Sequence, residues 1–544
     1  MPKQYRVKCH ETDTFCRGMV KFNNSLFAVD GLLPGETAHI ELVYGKDRQS
    51  TTARLVDVEI PSPARVKPFC AAFSRCGGCS LQHASYEAQL AMKQAAIEKL
   101  LGRFAPVEQI IGMKDPYHYR HKIHASFFRS RRGMELGIYE ENTHRVISVP
   151  DCAIQNKTAN KILHTIKKLA DEFHLPAYNE DTKQGLLRHV LIRCGYATGQ
   201  IMVVLVVADT NFPGRSHFVE KLRAAHPEIT TIIQNINSQK TSMVLGEREN
   251  ILYGSGYIVD ELCGLKFRIS PKSFYQVNPE QAKVLYQTAI QFAGLKGKET
   301  VLDAYCGTGT IGMIAAKSAG MVIGVENNGA AIKDAMANAK ENHVENIQFL
   351  KEDAAEYMGR VAKGTAAKPD VVILDPPRAG ASEGFLRAIL TAKPERVVYV
   401  SCDLGTLARD LGILRDGGYR AEKVQGVDMF AWSGHTETCV LLSKLRTKEY
   451  IQISLDLTSE DVTPAETWVT YAEIKTYIFE KYKTKVSALY IAQIKRKYGL
   501  EVGENYNLPR TDHTKVLKCP AKKEELIVEA LRHFNMLPVA SDKS

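Results

Sequence analysis

The stretch Val301–Gly312, VLDAYCGTGTIG, decides the fold. A short apolar strand runs into Gly307, Gly309 and Gly312, which stand in G-x-G-x-x-G spacing, and the next apolar run, MVIGVE, ends in Glu326. Glycines so placed let the backbone turn sharply and approach a ligand, while a carboxylate at the next strand end can take two ribose hydroxyls. Alone, the fingerprint fits a dinucleotide, S-adenosylmethionine or a purely structural turn. Outward from it, TVLD, MVIGVE, VVILD and RVVYVS alternate with helical stretches across residues 299–444, the pattern of a doubly wound α/β sheet.

Two neighbours separate the ligands. Asp303 precedes the first glycine by four positions, and the fourth strand ends in LDPPR, Leu374–Arg378. In nucleotide-modifying methyltransferases an acidic or amide residue before Pro-Pro faces the reacting methyl group and the base, so S-adenosylmethionine becomes the stronger reading. The following strand ends in YVSCD, which puts Cys402 at a carboxyl-terminal strand edge, where this fold places its ligands. A thiolate there suits uracil chemistry, because addition to C6 turns the poorly nucleophilic C5 into an enolate carbon. The C5 proton must then leave to a base, and Glu437 in SGHTETCVLL is the carboxylate assigned to that work.

The chain has 544 residues, of which 44% are hydrophobic and 24% charged, with a formal net charge of +10; this excludes disorder and requires several domains. No apolar run is long enough to cross a bilayer and the N-terminus has no signal-peptide core, so a cytoplasmic protein with reduced cysteines is expected. The positive excess makes nucleic acid a plausible partner. Four segments are predicted: residues 1–62 as a small all-β barrel, 63–270 as an α+β domain, 271–446 as the doubly wound domain, and 447–544 as a mainly helical extension. The last reads either as a winged-helix-like module adding RNA affinity or target choice, or as a stabilising appendage.

Of the twelve cysteines, Cys70, Cys76 and Cys79 make C-x5-C-x2-C, and Cys152 is the candidate fourth ligand. Four thiolates allow zinc or an iron–sulfur cluster about equally. With Cys402 set aside as the nucleophile candidate, the other seven read as packing residues. Between Lys114 and Arg132, the cations Lys114, Arg120, Lys122, Arg129, Arg131 and Arg132 interleave with Tyr117, Tyr119, Phe127 and Phe128. That combination suits unpaired RNA, with charges on phosphates and rings on bases. Phe274 is a candidate to contact an extruded base.

FYQVNP (Phe274–Pro279), DAYCGTG (Asp303–Gly309), LDPPR, VSCD and GHTET together resemble the uracil-C5 RNA methyltransferase family, whose bacterial members make 5-methyluridine in 23S rRNA and which has a tRNA-modifying relative. The resemblance implies a class I methyltransferase fold, Cys402 as nucleophile and Glu437 as proton acceptor. It places Gln276, Tyr305, Glu326, Asp353 and Asp375 around S-adenosylmethionine, Asp353 resting only on its position after strand IQFLKED. It also implies that residues 1–62 are an OB-like, RNA-binding TRAM β-barrel and that the cysteines hold a [4Fe–4S] cluster, with zinc as runner-up. Cytosine-C5 enzymes carry a cysteine after the proline element, where this chain has Arg378. The expectation is therefore methylation of a uridine in 23S rRNA by a monomer without an obligate protein partner. A tRNA target, or a non-catalytic RNA-binding or ribosome-assembly factor, is the alternative.

Overall fold

The computed structural model describes residues 3–44, 51–131, 133–140, 143, 145–239, 243–445, 471–484, 486–498, 500, 519–534 and 536–537. Two compact units are present, Met1–Glu449 and Tyr450–Ser544.

In the first unit, β1 (Gln4–Lys8), β2 (Glu11–Thr12), β3 (Gly18–Phe22), β4 (Ser25–Val29), β5 (Thr37–Tyr44) and β6 (Thr51–Ile60) form two three-stranded antiparallel sheets, ordered β1-β5-β6 and β2-β3-β4. They share a small core that includes Val7, Val20, Leu32 and Ile40. The cysteine-rich stretch follows, then α1 (Tyr86–Leu101), which starts on the Ser85 cap accepting from Ala88 N, and β7 (Val107–Ile111).

A seven-stranded sheet comes next, built from β8 (Lys122–Ser130), β9 (Gly133–Tyr139), β10 (Val146–Ser148), β11 (Leu187–Cys194), β12 (Ile201–Val207), β13 (Ile229–Ile236) and β14 (Arg248–Tyr253) in the order β10-β9-β8-β11-β12-β13-β14. Strands β11 and β12 are buried along their whole length; β12 is an unbroken apolar run, as a central strand covered on both faces requires, while β11 also buries Arg188, His189 and Arg193. One face is covered by α2 (Lys157–Glu172) and α3 (Arg215–Ala225). In α2, Ile162, Ile166, Leu169 and Ala170 form one apolar stripe, and burying each large side chain contributes roughly 1.5–3 kcal/mol. The hairpin β15 (Ile258–Leu262) and β16 (Leu265–Ile269) lies on the other side.

The remaining elements alternate: α4 (Pro279–Ala293), β17 (Thr300–Ala304), α5 (Thr310–Ala316), β18 (Met321–Glu326), α6 (Gly329–Glu341), β19 (Ile347–Lys351), α7 (Ala354–Ala362), β20 (Val371–Leu374), α8 (Glu383–Ala392), β21 (Arg396–Ser401), α9 (Leu404–Asp416), β22 (Tyr419–Val427) and β23 (Glu437–Lys444). Their sheet is ordered β19-β18-β17-β20-β21-β23-β22-β7; it is parallel from β19 to β21, and β23 runs antiparallel to both β21 and β22. The order reverses at β17 and β20, the switch point where such sheets open a crevice.

The eighth strand departs from the expected boundaries. Sequence places Val107–Ile111 inside the 63–270 domain, yet it pairs in parallel with β22 and completes the methyltransferase-side sheet. Ile97, Leu101 and Ile110 lie in that sheet's core, and Gln94 Oε1 accepts from Ile110 N at 2.8 Å. Helix α1 and β7 thus cover an edge that would otherwise expose a row of amides. The second unit contains, among the described residues, three helices, α10 (Tyr471–Tyr482), α11 (Ala488–Lys497) and α12 (Ala521–His533), around Ile474, Ile478, Ile491, Ile494 and Leu531. Among the described residues no helix is long and apolar enough to cross a membrane.

Candidate active site

Every carboxyl end of the parallel strands delivers a polar residue to one edge. Strand β17 leads into Tyr305 and the glycine loop, β18 ends on Glu326, β19 is followed by Asp353, β20 by Asp375, and β21 by Cys402. Strand β23 runs the other way and starts at this edge with Glu437. Ser401 lies opposite Thr438, so Cys402 and Glu437 leave their strands beside each other.

The glycine loop is shaped for a ligand. Gly307 N donates to Glu326 Oε2 at 3.2 Å and Asn328 N to Oε1 at 2.8 Å, so the carboxylate is held against the loop. Gly309 has φ +78°, and a Cβ there would lie 2.6 Å from Phe349 Cζ. At Gly312 a Cβ would lie 2.8 Å from Asp303 Oδ2, which instead accepts from Gly312 N at 2.7 Å. By contrast nothing stands within 4 Å of where a Cβ of Gly307 would be, so the loop faces open space. Tyr305, at φ +64°, is half-buried against Phe385. Asp353 caps α7, its Oδ1 accepting from Ala355 N at 2.8 Å and Glu356 N at 3.3 Å.

Burial dominates the electrostatics. It pushes the Glu437 carboxyl up to about 8, with Asp375 adding to the rise and Arg378 opposing it. The Cys402 thiol is pushed up to about 11 by burial, then by Glu437 and Asp375, again against Arg378. Burial alone raises Asp375 to about 7, and burial followed by Asp375 and Glu326 raises Asp303 to about 8, against the bond from Gly312. Cys402, Glu437, Asp375 and Arg378 therefore stand near enough to shift one another's charge, and Arg378 also lines a neighbouring cavity. Tyr286 on α4, buried and held far above its ordinary value by that burial, hydrogen-bonds Gln276 and faces Asp375 and Glu437. An edge that joins a glycine loop to a thiol and a buried carboxyl can bind a nucleoside-bearing methyl donor and carry out covalent base chemistry.

Residues 85–445 match the family described as tRNA (Uracil-5-)-methyltransferase. The chain belongs to this family. Similar chains include uncharacterized RNA methyltransferases of Halalkalibacterium halodurans, 42% identical over 78% of this chain and 93% of the relative, and of Clostridium tetani, 40% identical over 78% and 93%. Among solved structures, the Pyrococcus abyssi tRNA (uracil-54, C5)-methyltransferase in complex with S-adenosyl-L-homocysteine matches with a TM-score of 0.65 and 25% identity, over 80% of this chain and all of that one. This protein is thus an S-adenosylmethionine-dependent RNA methyltransferase of the uracil-C5 type.

In this methyltransferase Cys70, Cys76, Cys79 and Cys152 all line one cavity of about 760 Å³, and none is in a disulfide. Burial first, and then Cys152, Cys76 and Cys70, push the Cys79 thiol up to about 12 against a bond from Gln82. Gly78 N donates to Cys76 Sγ at 3.4 Å, and Gln82 Oε1 accepts from Cys70 N at 3.2 Å. Among the described residues, however, no group of three or more His, Cys, Asp or Glu side chains stands close enough to hold a metal ion. Of the remaining cysteines, Cys9, Cys16, Cys194, Cys306 and Cys439 are buried, as packing residues are, whereas Cys263 and Cys519 are half-buried.

The basic segment divides. Arg120 lines the same cavity, and Lys122 is half-buried, lowered to about 8 by burial and then by Arg193 and Arg120. Arg129 is paired with Asp171 at 2.8 Å, Lys114 and Arg131 are exposed, and Arg132 lies outside the described residues. Stacking on RNA bases fails as a reading for two of its rings. Phe127 is core, and Tyr119 is buried with its hydroxyl donating to Ala431 O at 3.0 Å. Tyr117 packs its ring on Trp432. Phe274, in contrast, is 62% exposed, two residues before Gln276. Sequence reasoning missed the site roles of Tyr286 and Arg378; only Arg378, directly after Pro-Pro, carried a local signal.

Proposed function

We propose that this methyltransferase forms 5-methyluridine in 23S rRNA through a covalent bond between Cys402 and C6 of the target uracil. The observation that carries the reading is the side-by-side exit of Cys402 and Glu437 at the strand edge that also holds the glycine loop. Bound S-adenosylmethionine supplies an electrophilic methyl group. Glu326, Tyr305, Asp353, Gln276 and Asp375 would hold it. The Cys402 thiol loses its proton to water and its sulfur adds to C6, the C5–C6 π electrons moving toward the C4 carbonyl. C5 would then bond to the methyl carbon as the sulfonium S–CH3 bond breaks, with S-adenosylhomocysteine as the leaving group. Glu437 takes the C5 proton, the electrons of that C–H bond restore the double bond, and the thiolate leaves C6. Arg378, which stabilises both anions, favours the charged state this sequence needs.

The two N-terminal sheets are read as the RNA-binding TRAM domain, and the helical unit as an added source of RNA affinity. The cysteine quartet supplies four soft donors, one of them accepting an N–H···S bond, a set that suits either centre; the family resemblance puts a [4Fe–4S] cluster first and zinc second. A tRNA target is the second reading, favoured by the family description and by the Pyrococcus abyssi enzyme, all of which matches this chain. RNA carrying 5-tritiated uracil tests the chemistry: tritium is released only with S-adenosylmethionine present, and methyl transfer without tritium release overturns it. Mapping 5-methyluridine in 23S rRNA and tRNA from a strain lacking the gene separates the two targets, and metal and sulfide analysis of anaerobically purified protein separates cluster from zinc.

A further inference from the structure

We infer that Lys93 is a positioning residue for the proton-removing carboxylate, acting through its buried ion pair with Asp428. The inference rests on the role given to Glu437 above. Lys93 lies on α1 and is wholly buried, with Nζ 2.5 Å from Asp428 Oδ1 and 3.1 Å from the Phe430 carbonyl oxygen. The other Asp428 oxygen accepts from the Tyr86 hydroxyl at 2.7 Å, about two turns before Lys93 on the same helix. Asp428 and Phe430 belong to residues 428–436, the link between β22 and β23, and Glu437 is the first residue of β23.

A buried ion pair is a weak source of stability, because desolvation offsets most of the Coulomb attraction; its strength is that it defines one geometry. This link needs one. Trp432 sits at φ +66°, a conformation a bulky residue holds only where its surroundings over-determine it. Its N donates to Gln89 Oε1 at 2.9 Å and its carbonyl accepts from Ser80 N at 2.9 Å. Gln89 and Lys93 are four residues apart on α1, so one helix face grips the link at two points. Where the link is fixed, the start of β23 is fixed, and with it the carboxylate opposite Cys402. The grip also joins the catalytic edge to Ser80, the neighbour of Cys79.

The test compares wild type, Lys93→Met, and Lys93→Met/Asp428→Asn, which removes both buried charges together and so remains informative where the single variant fails to fold. Three quantities are measured: C5 tritium release, covalent protein–RNA complex on denaturing gels, and calorimetric affinity for S-adenosylhomocysteine. A misplaced base leaves addition intact and blocks elimination. The expected result is tritium release reduced tenfold or more, accumulation of the covalent complex, and cofactor affinity within twofold of wild type. A double variant that releases tritium at the wild-type rate, or that loses complex formation and cofactor affinity in proportion to turnover, overturns the positioning role. Absence of tritium release by the wild-type enzyme overturns the assignment of Glu437 itself, which keeps the two failures distinct.

Discussion

Ser401 faces Thr438 in the antiparallel register of β21 and β23, and this one pairing places the thiol of Cys402 next to the carboxyl of Glu437 although 35 residues separate them in the chain. A one-residue slip would send alternate side chains of β23 to the other face of the sheet and remove Glu437 from the side of Cys402. Replacements at the two positions should therefore fail at different steps. Cys402→Ala is expected to lose both covalent complex and tritium release, while Glu437→Gln forms the complex and releases it 10²- to 10⁴-fold more slowly, the range ascribed to a positioned base. Denaturing gels with labelled RNA read both.

The pH dependence follows from the direction of the shifts. Addition needs the Cys402 thiolate and proton removal needs the Glu437 carboxylate, and burial raises both groups, to about 11 and about 8. Activity at limiting RNA should rise with pH across 6.5 to 9, more steeply below about 8, where both groups are protonated, than above it. Arg378 opposes both shifts, so Arg378→Met should move the profile to higher pH and lose most activity at neutral pH. A flat profile over this range in wild type would contradict these mutual shifts.

The same burial links function to stability. Glu437 has its folded value raised above the ordinary value of 4.5, so the fold binds its proton more tightly than the unfolded chain does. Its contribution to stability is fully present below about pH 4.5 and is lost as pH rises through about 8. Glu437→Gln removes that loss. The variant should match wild type in thermal midpoint near pH 4.5 to 5 and exceed it at pH 8.5. Melting curves at four pH values between these limits check it.

How far the chain could be read from its residues depended on the type of signal. Central strands such as VVILD and RVVYVS are buried on both faces, so their apolar runs are continuous and the doubly wound sheet was legible with its catalytic edge. The strand VEQII was not, because five residues with two polar side chains carry no period strong enough to show which sheet they join. Gly307, Gly309, Glu326 and Cys402 announced themselves because backbone shape or strand position demands those residue types. Tyr286 did not, since a tyrosine within an amphipathic helix looks the same whether it fills a core or supports Gln276. The ring-and-charge run from Lys114 to Arg132 misled in part. Phe127 is buried within β8 and Tyr119 in the irregular stretch before it, and composition alone does not record which side of the chain is covered.

The glycine loop offers a test that separates strain from contact. At Gly309 the backbone is left-handed and Phe349 fills the space a side chain would need, so Gly309→Ala meets both a conformational penalty and a clash. It should lose more than about 1 kcal/mol of stability together with cofactor affinity. Gly307→Ala meets only the left-handed φ of +55°, because its Cβ would point into open space. Its loss of stability should be smaller, and its loss of S-adenosylhomocysteine affinity, read by calorimetry, should be at least as large, since the methyl group would occupy the ligand's side of the loop.

Asp353 carries two roles that one pair of substitutions can part. Its Oδ1 caps α7 by accepting from Ala355 N and Glu356 N, a role asparagine fills about as well and alanine does not. A cofactor hydroxyl, in contrast, gains from the charge that only aspartate supplies. Asp353→Ala should therefore lower stability by about 0.5–2 kcal/mol and weaken cofactor binding, whereas Asp353→Asn should keep the melting temperature and still weaken S-adenosylhomocysteine binding severalfold. An Asn variant that binds the cofactor as tightly as wild type would reduce Asp353 to a helix cap and leave Glu326, fixed by two backbone N–H groups, as the carboxylate that meets the ribose.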